Sequence, residues 1–437
     1  MGMDKDNAAD ETASGEENSH SKKTLAAGMV GNVIEWYDFT LYGYLAVVIS
    51  QLFFPHENPT VSLLATYGVF AAGFLMRPLG AALFGYLGDT LGRKPVLMLS
   101  VMMMVVPTLL LGILPTYADW GIWASICLVL IRLIQGISVG GEFSGSVTYL
   151  VETAPTAKRG FAGSWANMGS VTGMLLGAGT PALVIWVLGQ PETNEWGWRL
   201  PFLFGGVIGL LALFLRHDLP EPAPTEKEIE GREGMHPIRR LLKEEPGVFI
   251  RMALFSISYG AVFYLPLVYL PTWLSLYTPI KLHEALFIVT LGMVVQLALI
   301  PSLAILSDRA IRRTHLLALV FLVIAVAAVP LFSWASDGLV WEAVVVFLVF
   351  SALIATPLAV APTTYAEAFD RSHRLTGYSV SFNVGFAVGG GTAPLVATWL
   401  IAQSGDKFTP AIYLAALALL GVIVMIMTKD RSREPLR

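Results

Sequence analysis

The chain has 437 residues, 55% of them hydrophobic and only 14% charged, where a soluble protein carries about 25% charged residues. A formal net charge of −4 leaves no basic face for nucleic acid, and a single cysteine, Cys127, rules out a disulfide or a Cys-x-x-Cys pair within the chain. There is no P-loop, no Gly-x-Ser-x-Gly elbow and no histidine set at ligand spacing, so no ATP chemistry, metal or other cofactor is expected, and an enzyme is not expected either.

In chain order, residues 1–24 are acidic and polar and read as a disordered cytoplasmic tail; they carry no apolar h-region, so no cleaved signal peptide is expected. Twelve apolar runs follow, each about long enough to cross a bilayer: 25–54, 61–88, 95–115, 121–151, 160–188, 197–216, 248–277, 282–307, 314–334, 340–368, 374–403 and 409–428. The polar stretch 217–246 divides them six plus six into bundles over 25–216 and 247–429, with a short cytoplasmic tail at 430–437. This pattern predicts an all-α membrane protein of twelve transmembrane helices in two six-helix halves. Of the 28 lysines and arginines, Arg199, Lys281 and Lys407 flank loops on one side and Arg77 and Arg132 lie within spans. The other 23 lie on the side of both termini, which predicts cytoplasmic termini.

The halves echo one another. "GYLGDTLGRKPVLML" follows span 2 and "AILSDRAIRRTHLLA" follows span 8, placing Asp89 on Asp308, Arg93 on Arg312 and Lys94 on Arg313. A weaker echo pairs Asn167-x-Gly169 with Asn383-x-Gly385, as expected of a transporter built from two repeats.

Charges inside the spans are concentrated in the first half. Glu35 and Asp38 in span 1 are three apart and share a helix face with Asn32 and Tyr42. A carboxylate in a spanning helix costs about 2.5–3.5 kcal/mol on insertion scales, so this face should line water or meet a partner. One of the two would carry a coupling proton; a structural ion pair with Arg77 of span 2 is the alternative. In span 4, Arg132, Gln135, Glu142 and Ser146 form a polar stripe suited to a cavity wall, with Glu142 a further proton site, although Gly136, Gly140, Gly141 and Gly145 equally permit close helix packing. The second half offers Tyr259, Tyr264, Tyr269, Trp273, Gln296, Tyr365 and Asn383. These could form an aromatic box for a quaternary ammonium group or line the membrane interface.

Gly88-Asp89-x-x-Gly92-Arg93-Lys94-Pro95 resembles the cytoplasmic loop signature of the major facilitator superfamily. Together with "GNVIEWYDFTLYGYLA", "FAAGFLMRPLGAALFGYLGDTLGRK", "RLIQGISVGGEFSGSVTYLVE" and "KRGFAGSWANMGSVTGMLLGAG", it makes nearly the whole chain similar to the metabolite:proton symporter family. "KRGFAGSW", "WGWRLPF" and "LRHDLPEPA" look nearest to proline/betaine carriers. The resemblance implies the major facilitator fold, an inner-membrane location, a small-molecule substrate and protons as partners beside membrane lipid, and a monomer. It implies that Gly88, Asp89, Gly92, Arg93 and Lys94, with Asp308 and Arg312 in the second copy, latch the cytoplasmic side. The second copy lacks both glycines, so its latch should be weaker. It also places Arg132 at the span-4 position tied to proton coupling. Osmosensing members carry a C-terminal coiled coil, for which the residues after span 12 show no heptads.

The expected function is therefore proton-coupled uptake of a small polar solute by alternating access, with Glu35, Asp38, Arg132 and Glu142 coupling protons. Arg77, Gln135, Tyr42, Tyr259, Tyr264, Trp273 and Asn383 would bind substrate. A zwitterion such as proline or glycine betaine leads, and a dicarboxylate, tricarboxylate or shikimate-type acid is the alternative. A drug/proton antiporter is disfavoured because span 5 reads Gly179-Thr180-Pro181 where exporters need Gly-Pro and a double glycine.

Overall fold

The computed structural model describes residues 32–91, 93–140, 142–217 and 237–436. Among these the chain is all-helical, with no strand. Twelve long helical stretches succeed one another: α1 (32–53), α2 (59–91), α3 (Arg93–Ile113), α4 (Ile122–Thr153), α5 (Arg159–Leu188), α6 (Arg199–His217), α7 (Pro246–Tyr277), α8 (Leu282–Arg309), α9 (Arg313–Ala335), α10 (Val340–Ala368), α11 (Arg374–Ser404) and α12 (Thr409–Ile426). Nine helices among the described residues are long and apolar enough to span a bilayer; α1, α3 and α6 complete the expected twelve. The chain is a multi-pass membrane protein. The twelve expected spans fall on these helices with shifts of a few residues, although the part of span 1 before residue 32 lies outside the described residues. The expected interdomain loop holds a short helix, Pro237–Glu244, whose Leu241 is fully buried.

Local chemistry sets the starts and the interruptions. Pro59 occupies the first turn of α2, where its missing N–H is harmless, and the Asn58 side chain accepts the Thr60 N–H at 2.9 Å. The helix breaks at Met76, just before Arg77-Pro78. Similar breaks occur at Leu45 in α1 and at Val139–Gly140 in α4. Wide π-turns interrupt α7 at Leu265–Tyr269, which contains Pro266, and α11 at Ala387–Gly391. Such turns gather at functional sites because they redirect side chains without ending a helix.

Two seams hold the first half. A Cβ at Gly136 would stand 2.1 Å from the Gly73 carbonyl oxygen, so α2 and α4 pack backbone against backbone and set Arg77 beside Arg132. A Cβ at Gly173 would likewise meet the Val33 carbonyl at 2.2 Å, which presses α1 onto α5. The halves meet where α5 packs on α8 and α10, and where α2 packs on α11.

Candidate functional site

Residues of α1–α4 build a buried charged cluster. Glu35, Asp38, Arg77 and Arg132 are each at most 2% exposed. Arg77 Nη1 lies 3.8 Å from Glu35, and Arg132 Nη1 lies 3.6 Å from Asp38. Asp38 also accepts the Thr108 hydroxyl at 2.5 Å, Thr108 accepts from Gln135 at 3.0 Å, and Arg132 donates to Gln135 Oε1 at 3.0 Å. Asp38 is thereby locked in a closed network of three helices. Asn32 donates to Ser146 and to the Ala166 carbonyl, tying α1 to α4 and α5.

Aromatic rings surround the guanidinium groups. Arg77 stands 4.3 Å from the centre of Phe39 and 4.1 Å from that of Phe74, and Arg132 stands 4.5 Å from that of Tyr42, whose hydroxyl donates to the Thr66 carbonyl. Beyond Arg77 the rings close into a cage drawn from both halves. Trp36 stacks on Tyr264 at 6.4 Å and meets Phe263 at 5.4 Å; Tyr264 meets Phe74 at 5.3 Å and Phe386 at 5.7 Å. Tyr264 and Phe386 flank the two π-turns.

Nε and Nη2 of both arginines, Trp36 Nε1, the Tyr264 hydroxyl and Asp38 Oδ2 are buried with no hydrogen-bond partner among the described residues. Convergent unsatisfied donors suit a carboxylate, and the ring faces suit a cation with a diffuse charge.

The expected substrate residues are divided by the fold. Tyr42, Arg77, Gln135 and Tyr264 join the cluster or the cage. Tyr259 packs on Phe386 at 5.5 Å, at the edge of the cage. Trp273 does not join it: its indole N–H donates to the Lys407 carbonyl at 2.8 Å and its ring packs on Phe332 and Phe408 at the far end of the second half. A tryptophan there closes a helix end. Asn383 donates to the Gly140 carbonyl of α4 and does not meet the arginines directly. The Glu142 side chain, Gly92 and the side chains of residues 88–97, which include Asp89, Arg93 and Lys94, lie outside the described residues. Trp36, Phe74, Phe263 and Phe386 are additions that residue type alone does not distinguish from core aromatics.

A second charged layer lies at the end of the bundle that holds the α4–α5, α8–α9 and α10–α11 loops, called here the basic end. It joins the halves. Arg374 of α11 pairs with Glu152 of α4 at 2.5 Å, and Arg159 of α5 pairs with Glu367 of α10 at 3.5 Å. Glu152 and Glu367 are 215 positions apart, as are Arg159 and Arg374, so the same Glu-x6-Arg element serves each half. This repetition is legible in the sequence and is an addition to the expected site residues. Asp308 accepts the N–H groups of Gly160 and Phe161 at 2.8 and 3.0 Å, a carboxylate on the N-terminus of α5. Its ion-pair partner is Arg313 at 2.5 Å, whereas Arg312 is exposed: Arg312 precedes α9, and the first helical residue turns inward.

Residues 428–434 strap this layer. Arg159 donates to the Glu434 carbonyl, Arg313 to the Ser432 carbonyl and Arg431 to the Ala368 carbonyl. Asp430 anchors the strap by accepting the Thr314 N–H at 3.0 Å and the Ser432 hydroxyl. Burial opposes its charge, but these hydrogen bonds from Ser432 and Thr314 prevail and hold its pKa below the ordinary value. At the opposite end Tyr67 of α2 donates to Thr272 of α7 at 3.1 Å.

Known proteins agree with this architecture. Residues 23–241 match the Sugar (and other) transporter family and residues 268–437 match the Major Facilitator Superfamily. The chain is 32% identical over 426 residues to a proline/betaine transporter of Salmonella typhimurium, covering 95% of this chain and 85% of that one. It is 33% identical over 432 residues to a glycine betaine/proline/ectoine/pipecolic acid transporter of Dickeya dadantii, with the same coverage. Among solved structures, the proton:xylose symporter XylE bound to 6-bromo-6-deoxy-D-glucose superposes with a TM-score of 0.76 at 18% identity, covering 96% of this chain and 98% of that one.

Proposed function

The chain belongs to the major facilitator superfamily, in the family of the proline/betaine transporters, and from that premise we propose that it imports a zwitterion such as glycine betaine or proline by proton-coupled symport. The observation that carries this is the placement of two buried arginine–carboxylate pairs against an aromatic cage shared by both halves. Relatives named for proline and betaine transport, and a fold neighbour named as a proton:xylose symporter, support substrate class and coupling.

The chemistry follows from charge balance. The substrate carboxylate takes the free donors of Arg77 and Arg132, while its ammonium sits on the ring faces of Trp36, Phe74 and Tyr264. A guanidinium engaged by substrate no longer neutralises its own carboxylate, so that carboxylate takes up a proton. Release of substrate on the other side restores the internal pair and expels the proton. Glu35 is the carrier in this scheme, because Asp38 is held by Thr108 and Arg132 within the three-helix network. Substrate binding without a proton strands a buried anion, and a proton without substrate strands a buried cation, so only the empty and fully loaded forms cross readily.

The predominance of lysine and arginine puts the basic end in the cytoplasm of an inner-membrane protein, and each monomer holds a complete site. A dicarboxylate is the second reading, because two arginines with free donors could take two carboxylates. The test is uptake of radiolabelled glycine betaine, proline and 2-oxoglutarate into proteoliposomes under an imposed inward proton gradient. Accumulation abolished by a protonophore is expected, with betaine or proline preferred; uptake that needs sodium and ignores the protonophore refutes the proposal.

A further inference from the structure

Two asparagines at repeat-related positions each reach into the opposite half. Asn167 of α5 donates to the Leu358 carbonyl of α10 at 2.7 Å, and Asn383 of α11 donates to the Gly140 carbonyl of α4 at 3.0 Å. Both side chains are buried. In the two-fold relation between the halves, α5 corresponds to α11 and α4 to α10, so the two bonds join corresponding helix pairs, with donors 216 and acceptors 218 positions apart.

Each bond goes to an irregular place in the acceptor helix, a proline within α10 and a turn in α4. Pro362 has no N–H, so the Leu358 carbonyl four residues earlier loses its helical donor. Gly140 lies in the turn that breaks α4 between Ser138 and Glu142. Free carbonyls at membrane depth require a partner or water, and in each case the partner is an amide from the other half.

The asparagines lie eight and nine residues into their helices from Arg159 and Arg374, which at 1.5 Å per residue is about 12–13 Å beneath the charged layer. We infer that Asn167 and Asn383 are positioning residues for transport: a symmetric inner clasp that holds the two halves together on the cytoplasmic side until loaded substrate opens it. Opening separates α5 from α10 and α11 from α4, so both bonds break together, and water entering the opened vestibule takes over the released carbonyls. The clasp thus weights the equilibrium toward the cytoplasm-closed state without touching substrate. This rests on alternating access within the proposed function, but it concerns the halves and not the cargo.

The experiment measures the halves directly. In a Cys127→Ser background, spin labels at Lys158→Cys and Arg371→Cys, both exposed positions on opposite halves at the cytoplasmic face, report that separation by electron–electron distance measurement without substrate. Asn167→Ala and Asn383→Ala should each raise the ratio of long to short distances about fivefold, as expected for loss of one net hydrogen bond, and the double variant should multiply the two. Asn167→Ser and Asn383→Ser, which shorten the donor with less disturbance, should shift it in the same direction and serve if the alanine forms do not assemble. Distance distributions unchanged from the parent overturn the inference. So does a shift in only one of the two variants, or weakened substrate binding with no shift. Failure of proton-driven uptake in the parent would refute the proposed coupling while leaving the distance result intact.

Discussion

Replacing Asp38 with asparagine removes a charge and almost no volume, so its effect isolates the ion pair with Arg132. That arginine is fully buried, lies 3.6 Å from Asp38, and keeps only the Gln135 oxygen at 3.0 Å as an acceptor when the carboxylate is neutralised. Removing one member of a buried pair costs about 3–5 kcal/mol, which at about 1.4 kcal/mol per tenfold lowers the folded-to-unfolded ratio by between about 150-fold and 5,000-fold. Asp38→Asn should therefore express poorly and melt early in detergent, as followed by fluorescence and size exclusion. Removing both charges, Asp38→Asn with Arg132→Gln, leaves no stranded cation and should recover much of the stability without recovering transport. Glu35→Gln should behave differently: it imitates the protonated carrier that the cycle itself passes through, and Glu35 lies outside the Thr108–Gln135 network that holds Asp38. Exchange of substrate at equal concentrations should survive while proton-driven accumulation is lost. If Asp38→Asn melts with the parent and accumulates substrate as it does, Asp38 is not held as a structural partner and the division of labour within the pair is wrong.

Tyr264→Leu and Trp36→Leu should each raise KM for glycine betaine by about 5–30-fold, from roughly 1–2 kcal/mol of cation–π contact in a desolvated site, with a smaller effect on a substrate lacking an ammonium group; competition uptake reads the difference. Glu367→Gln leaves Arg159 and Arg313 without their shared carboxylate and should move labels across the basic end toward the open distance while weakening stability. Asp430 has a lowered pKa, so its anchoring is fully present above the ordinary carboxylate value of about 3.9 and is lost only as pH falls through the lower folded value. Hydrogen exchange at residues 430–434 should thus show constant protection from about pH 5 to 8, and Asp430→Ala should remove that protection throughout the range.

The proposed chemistry was partly legible in residue spacing. Carboxylates at 35 and 38 can share a helix face only one way, and an arginine within an apolar run has to find a partner. Which arginine each carboxylate meets was not legible, because that depends on how closely α2 approaches α4 over Gly73 and Gly136. Trp273 and Tyr264 look alike in a list of second-half aromatics, yet one closes a helix end against Lys407 and the other faces Trp36 across the halves. Arg312 and Arg313 are adjacent basic residues in one loop, and the start of α9 decides which turns inward.

Hydropathy by itself determined twelve spanning helices and their division into two halves, because in hydrocarbon a backbone has to satisfy its own hydrogen bonds and a helix is the local way to do so. Spacing and repetition determined the face of α1 that carries charge and the correspondence of Asn167 with Asn383. Only the tertiary structure decided the partners: Glu35 with Arg77, Asp38 with Arg132, Asn167 with Leu358 and Asn383 with Gly140. Each of these contacts joins helices distant in sequence, or depends on a missing helical donor such as the N–H absent at Pro362. Periodicity reports which face of a helix is buried, whereas the identity of the neighbour follows from how close two backbones come.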